Sequence, residues 1–223
     1  MSSFNLKLII CIFIVISFSA RSDQNSDKTN PEIFNIESQN INIELKKDRK
    51  PIISDNWMVV TANSQASVIA GKILEKGGTA VDAMIAAQLV LGLVEPESSG
   101  LGGGAFLVYF DNKKKEIITL DGRETAPLLV KEDLFQDAEG NPLKFFDAVV
   151  GGKSVGTPGT PALLEEAYKR WGKTNWSLLF KDAIKLSNNG FIISKKLSSS
   201  IKRSKDSLSK FKNTKVYFLP NNI

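Results

Sequence analysis

Hydrophobic and polar positions change their period several times along this chain. Leu8 to Ile16 is an unbroken apolar run behind Lys7. Residues 21–55 are polar, with isolated Ile and Phe, and read as a poorly ordered lead-in. Trp57 to Thr61 is a short β-branched run that predicts a strand. Ala66, Ile69, Ala70, Ile73 and Leu74 then fall at helical spacing, and Gly77 with Gly78 ends that helix. Thr79 followed by Asp82 three residues on is a capping-box variant. It opens a segment, Ala80 to Val94, in which only Asp82 and Gln88 are polar. A helix apolar on nearly every face is buried on all sides, which predicts a multi-layer α/β domain.

After the glycine-rich stretch Glu95–Gly104, the runs Ala105–Phe110 and Glu116–Leu120 predict two strands of a hairpin turning at Asp111–Lys115. Residues 128–150 carry no clear period. Thr160 reads as an N-cap with Pro161 at the first helical position, and the helix runs to Trp171 before Gly172. A further helix spans Trp176–Asn189 and stops at Gly190. Leu197, Ile201, Leu208 and Phe211 line one face of a final basic amphipathic helix. Its cations, Lys195, Lys196, Lys202, Arg203, Lys205, Lys210, Lys212 and Lys215, meet one acid, Asp206. Such a helix either keeps a solvated lysine face or binds an anionic surface. The chain stops at FLPNNI, in what reads as a turn between elements, and so reads as a fragment.

Composition narrows the chemistry. The 223 residues include no His, and the one Cys is Cys11. A Ser-His-Asp or Cys-His site and a His- or Cys-ligated zinc site are therefore excluded from these residues. The apolar run with Lys7 before it and Ser17, Ser19 and Ala20 behind it reads as a cleaved secretory signal peptide, residues 1–20. It is too short for a stable membrane anchor, since about 20 apolar residues are needed to cross a bilayer. The expectation is an exported protein, periplasmic or secreted after cleavage. The net charge of +5, which becomes +4 without the leader, is too mild to imply nucleic acid.

Several constellations invite a sharper reading. Gly100, Gly102 and Ala105 satisfy the dinucleotide fingerprint, with Asp121 at a plausible distance for a ribose contact. That motif must follow a strand and open a helix, whereas here a helix precedes and a strand follows. The glycines read instead as residues of positive φ or as a close backbone approach. No cofactor and no metal is implied. Glu95 and Glu97 flank Pro96 but show nothing that separates their acidities, as a general acid/base pair requires. A threonine freed as a new N-terminus can use its own α-amine as base. Thr79, Thr157 and Thr160 each follow a glycine, yet all three are better explained by caps and turns. Arg123, between Asp121 and Glu124, is either a local salt bridge or a carboxylate receptor at a strand end.

Four stretches, in this order and spacing, resemble the N-terminal part of γ-glutamyltranspeptidases. They are MVVTANSQASVIAGKILEKGGTAVDAMIAAQLVLGLVEPESSGLGGGAFLVYF, LDGRETAP, VGGKSVGTPGTPALLEEAYKRWG and WSLLFKDAIKLSNNGFIIS. The resemblance covers about residues 57–220. It implies an N-terminal-nucleophile hydrolase of mixed α/β (α+β) class, an αββα sandwich that is incomplete in this chain. Residues 56–223 would be the N-terminal part of the large subunit of a self-cleaving precursor. The family's nucleophile is the new N-terminal Thr of the small subunit, which would lie beyond the end of this chain. It takes the γ-glutamyl group, usually from glutathione, as an ester and passes it to water or an amino acid. The family arginine of the R-E-x-A-P motif, which grips the donor α-carboxylate, falls on Arg123. The implied partners are a γ-glutamyl donor and the small subunit of the same precursor. Two other readings stay open: an amide acylase like the cephalosporin acylases, and a non-catalytic relic. This chain alone is expected to be inactive. Sandwich sheets without the small-subunit strands are expected to leave open edges and uncovered apolar faces.

Overall fold

A computed structural model describes residues 51–220. The predicted signal peptide and most of the polar lead-in lie outside the described residues. Residues 51–55 are exposed and form neither helix nor strand. In chain order the elements are α1 (Ser64–Glu75), α2 (Ala80–Val94), β1 (Ala105–Asp111), β2 (Glu116–Gly122), α3 (Phe145–Val149), α4 (Thr160–Trp171), α5 (Trp176–Leu179), α6 (Lys181–Asn189), α7 (Lys195–Arg203), α8 (Lys205–Ser209) and α9 (Lys212–Phe218). The chain divides into two compact units. One comprises the described residues up to Ser98 together with those from Lys173 onward, and the other is Ser99–Gly172.

The first unit is helical. Asn63 caps α1 by accepting the Gln65 N–H at 3.0 Å. The helix ends as the paired glycines predict. Gly77 adopts φ +81°, its N–H bonds Leu74 O, and the Gly78 N–H bonds Ile73 O. This is the Schellman arrangement, which satisfies the last carbonyls of a helix. The capping box of α2 forms as expected, with the Asp82 N–H on Thr79 Oγ1 at 3.1 Å and the Thr79 N–H on Asp82 Oδ2 at 2.9 Å. The Asp82 carboxylate also accepts the N–H groups of Lys173 and Thr174 and the Thr174 hydroxyl. It thereby joins a helix start to a turn more than ninety residues later. Ile85, Val90 and Val94 are fully buried, each stabilising the fold by about 1.5–3 kcal/mol.

Two expectations for this unit need correction. Trp57–Thr61 is not a strand, because a strand requires a hydrogen-bonded neighbour and the sheet among the described residues holds β1 and β2 alone. Trp57 instead lays its ring against Gly71 of α1. Nor is α2 buried on every side. It packs on α1, α5 and α6, but Met84, Gln88 and Leu91 remain half-exposed beside Met58 and Val60 in an open groove.

The predicted helix Trp176–Asn189 forms as α5 and α6, joined at Phe180, whose backbone stays right-handed helical. Gly190, at φ +75°, stops α6. The basic segment is three helices rather than one. Phe211 turns extended between α8 and α9, so it leaves the face that buries Leu197 and stands 48% exposed.

The second unit is built on the hairpin. β1 and β2 pair antiparallel, with Leu107 opposite Leu120 and Tyr109 opposite Ile118. β2 continues past the predicted Leu120 to Gly122. In the turn, Asp111 Oδ1 accepts the N–H groups of Lys113 and Lys114. The inner face packs on α4, where Tyr109 stacks on Trp171 at 4.2 Å between centroids. On the outer face Phe106, Val108, Phe110 and Ile117 are exposed. Among the described residues, then, one helix layer covers one side of a two-stranded sheet, leaving the open edges and apolar face expected of an incomplete sandwich. Residues 128–150 are largely exposed and contain a Gln136–Pro142 bridge and the short α3.

Candidate substrate-binding site

Three pieces of the second unit converge at the end of β2: the glycine loop, the Gly122–Thr125 segment and the Gly156–Thr160 turn. Their meeting point is a carbonyl. Gly103 O accepts the N–H of Gly159 at 3.1 Å, the N–H of Thr160 at 3.0 Å and the Thr160 hydroxyl at 3.0 Å. Thr160 is 1% exposed. It is therefore not the side-chain N-cap read from the sequence. The helix starts one residue earlier, behind Gly159, and the hydroxyl donates to Gly103 O because a buried hydroxyl needs a partner. Thr157 N–H bonds Thr125 O at 2.8 Å, tying the same turn to the strand exit.

The glycine loop decides between the two readings given for it, positive φ and close approach. None of Gly100, Gly102, Gly103 or Gly104 has positive φ. Close approach is the cause, and at one position above all. A Cβ on Gly104 would collide with Glu124 Oε2 and lie 2.8 Å from both Glu124 N and Gly122 O. Nothing lies within 4 Å of a Cβ on Gly102. The loop runs into β1 and not into a helix, and Asp121 Oδ1 accepts the Arg123 N–H at 2.9 Å.

Arg123 is thus aimed by its own main chain. Its side chain is 68% exposed, and Nη1 lies 3.4 Å from Glu124 Oε2. Among the described residues that is its ion pair. Asp121, the other acid considered for it, engages the Arg123 backbone instead. Glu124 Oε2 is buried and has no hydrogen-bond partner, so the 3.4 Å guanidinium is its compensation. One nitrogen of the fork is thereby occupied at long range, and the rest stays open to a second carboxylate. Arg123 borders a cavity of about 510 Å³ lined also by Asp121, Thr125, Thr157, Glu166 and Lys169, within the size range of small-molecule sites. The burial of Glu124 Oε2 was not legible beforehand. Its signal was the neighbouring Gly104, whose missing side chain makes the room.

Glu95 and Glu97 belong to the first unit and share a cation. Glu95 is 2% exposed, accepts Lys196 Nζ at 2.7 Å and lies 3.4 Å from Asn63 Nδ2. Glu97 is 3.7 Å from the same ammonium. The hydrogen bond to Glu95 raises the Lys196 pKa. This is a structural ion pair, with Glu95 also the C-cap of α2. Thr79 is committed to the α2 cap, as expected.

The family model described as Gamma-glutamyltranspeptidase matches residues 66–223. The Glutathione hydrolase proenzyme of Bacillus subtilis subsp. natto is 40% identical over 169 residues, 76% of this chain and 29% of that protein. Glutathione hydrolase 3 of Arabidopsis thaliana is 41% identical over 141 residues, covering 63% of this chain and 21% of that protein. The crystal structure of Helicobacter pylori gamma-glutamyltranspeptidase superposes with a TM-score of 0.72 at 34% identity, covering 77% of this chain and 49% of that one. The chain thus spans less than a third of the length of these two curated relatives. The fold is that of the N-terminal-nucleophile hydrolases, and the chain belongs to the γ-glutamyltranspeptidase family.

Proposed function

We propose that this chain is the N-terminal part of the large subunit of an exported γ-glutamyl-transferring enzyme, and that Arg123 holds the α-carboxylate of its donor. The observation that carries the reading is Arg123 itself. An exposed guanidinium at a strand end, held by Asp121 through its backbone and only loosely paired at 3.4 Å, presents donors to a cavity. A guanidinium fork matches a carboxylate bidentately. The family's relatives include glutathione hydrolases, so glutathione is the donor class.

In the proposed reaction a small-subunit Thr Oγ attacks the donor's γ-carbonyl. Its own α-amine takes the proton, which then passes to the departing amine. The resulting γ-glutamyl ester is cleaved by water or by an acceptor amine, and the Thr is restored. Arg123 touches only the α-carboxylate, so its work is orientation. The leader, residues 1–20, directs export, and a mature N-terminus near Arg21 is expected by mass spectrometry. Among the described residues no helix is long and apolar enough to cross a membrane.

The test is comparative. A full-length precursor is assayed for release of p-nitroaniline from a γ-glutamyl anilide and for deacylation of a glutaryl amide, beside this 223-residue chain. The precursor is expected to act on the γ-glutamyl compound, and this chain on neither. Preference for the glutaryl amide, which keeps the distal carboxylate but lacks the α-amino group, would replace the reading with an amide acylase.

A further inference from the structure

The segment carrying α7, α8 and α9 is not used by the proposed reaction, and its charge is unlike that of the rest of the chain. Residues 195–215 hold eight Lys and Arg against one acid, Asp206, a local net of +7. The remaining residues sum to −2, so the whole positive excess sits in these twenty-one positions. The geometry sorts them. On α7, Leu197 is buried, whereas Lys195, Lys202 and Arg203 are exposed on the opposite side of the helix. Lys212 and Lys215 of α9 are exposed too. Lys196 is the exception, drawn in by Glu95.

Two apolar side chains stand out among these cations. Phe211 is 48% exposed and Val216 is 68% exposed. Seven of the eight basic residues are Lys. Ammonium groups are strongly hydrated point charges without the fork that reads individual phosphates. Lysines interleaved with exposed apolar groups fit a diffuse anionic plane with hydrocarbon beneath it, where cations meet headgroups and apolar side chains enter the acyl boundary.

We propose that the exposed face of α7–α9 docks on an anionic phospholipid bilayer. The attachment is peripheral and reversible. Each basic residue near such a surface adds roughly fivefold to binding at moderate ionic strength, about 1 kcal/mol. At about 1 M salt the Debye length shrinks to about 3 Å and most of that attraction is lost.

The experiment is vesicle co-sedimentation of the chain beginning at Arg21. The apolar run of residues 8–16 would itself enter bilayers, and Met1–Ala20 lie outside the described residues. Vesicles of equal parts phosphatidylglycerol and phosphatidylcholine are compared with phosphatidylcholine alone. Binding is expected to the anionic vesicles only, and to fall steeply between about 0.1 M and 1 M salt. Combining Lys202→Gln, Arg203→Gln and Lys212→Gln should weaken it on the order of 100-fold. A charge-matched control, Lys113→Gln, Lys114→Gln and Lys131→Gln in the other unit, should leave it within about threefold, with unchanged circular dichroism in both variants. Phe211→Ser should reduce vesicle binding severalfold without affecting retention on heparin. Equal binding to neutral vesicles, equal loss in the two triple variants, or tighter binding to heparin or DNA than to anionic vesicles would each overturn the proposal.

Discussion

Asp82 offers the sharpest quantitative test of the helical unit. Its carboxylate is fully buried and accepts hydrogen bonds from four donors: the N–H groups of Thr79, Lys173 and Thr174 and the Thr174 hydroxyl. Asp82→Asn keeps the shape but removes the charge and turns one acceptor into a donor. About two of the four donors then face an NH₂ group with no acceptor in reach. A buried unsatisfied donor costs about 1–3 kcal/mol, so the substitution should destabilise by about 2–6 kcal/mol. The pH dependence follows from the same contacts. Burial alone would raise the Asp82 pKa, but the Thr79, Thr174 and Lys173 N–H groups and the Thr174 hydroxyl stabilise the anion and hold it below its ordinary 3.8. A depressed carboxylate stabilises the fold above its unfolded value of about 3.9, and this contribution is lost as pH falls through the lower folded value. Urea unfolding followed by far-UV circular dichroism, at several pH values between about 7 and 2, measures both effects. The Asn variant should show a lower midpoint at neutral pH and a shallower fall in acid. A variant within about 1 kcal/mol of the parent, with the same acid sensitivity, would refute the reasoning.

Two further predictions concern the hairpin unit. Gly104→Ala should destabilise by about 2 kcal/mol or more, because its Cβ meets backbone at Glu124 N and Gly122 O, both 2.8 Å away. Gly102→Ala, with open space around it, should stay within about 0.5 kcal/mol; equal effects in thermal unfolding would remove the close-approach argument. Phe106→Lys with Phe110→Lys should raise the monomer fraction in size-exclusion chromatography, since both side chains are exposed on an uncovered sheet face. Were that face buried within this chain, the pair would instead unfold it.

What was legible in the sequence were features with local causes. The capping box at Thr79, the paired-glycine stop at Gly77 and Gly78, and the hairpin at Asp111–Lys115 rest on neighbours a few residues apart. Features that depend on distant partners were not. Trp57–Thr61 has strand composition but no partner among the described residues, so its propensity goes unused. Thr160 has an N-cap's sequence context, yet Gly103, fifty-seven residues away, claims its hydroxyl. The basic segment has one amphipathic period in sequence, which Phe211 breaks by turning extended. Of the candidate site, Arg123 was singled out by its motif and neighbours, whereas the buried Oε2 of Glu124 and its fit against Gly104 required the fold.

The central claim is that Arg123 binds the donor's α-carboxylate, and donor kinetics of Arg123→Gln in a full-length, self-processed enzyme test it most directly. With its side chain 68% exposed, Arg123 would give at most about 1 kcal/mol as an ordinary surface ion pair. Paired instead with a donor carboxylate and shielded from water, loss of the Arg123 charge is expected to cost about 2–5 kcal/mol, or roughly 30- to 5,000-fold. The account predicts a loss of at least about 30-fold in kcat/KM for a γ-glutamyl anilide, mainly through KM, with subunit processing intact and only partial rescue by Arg123→Lys. A fully processed Arg123→Gln enzyme with normal donor affinity would contradict it.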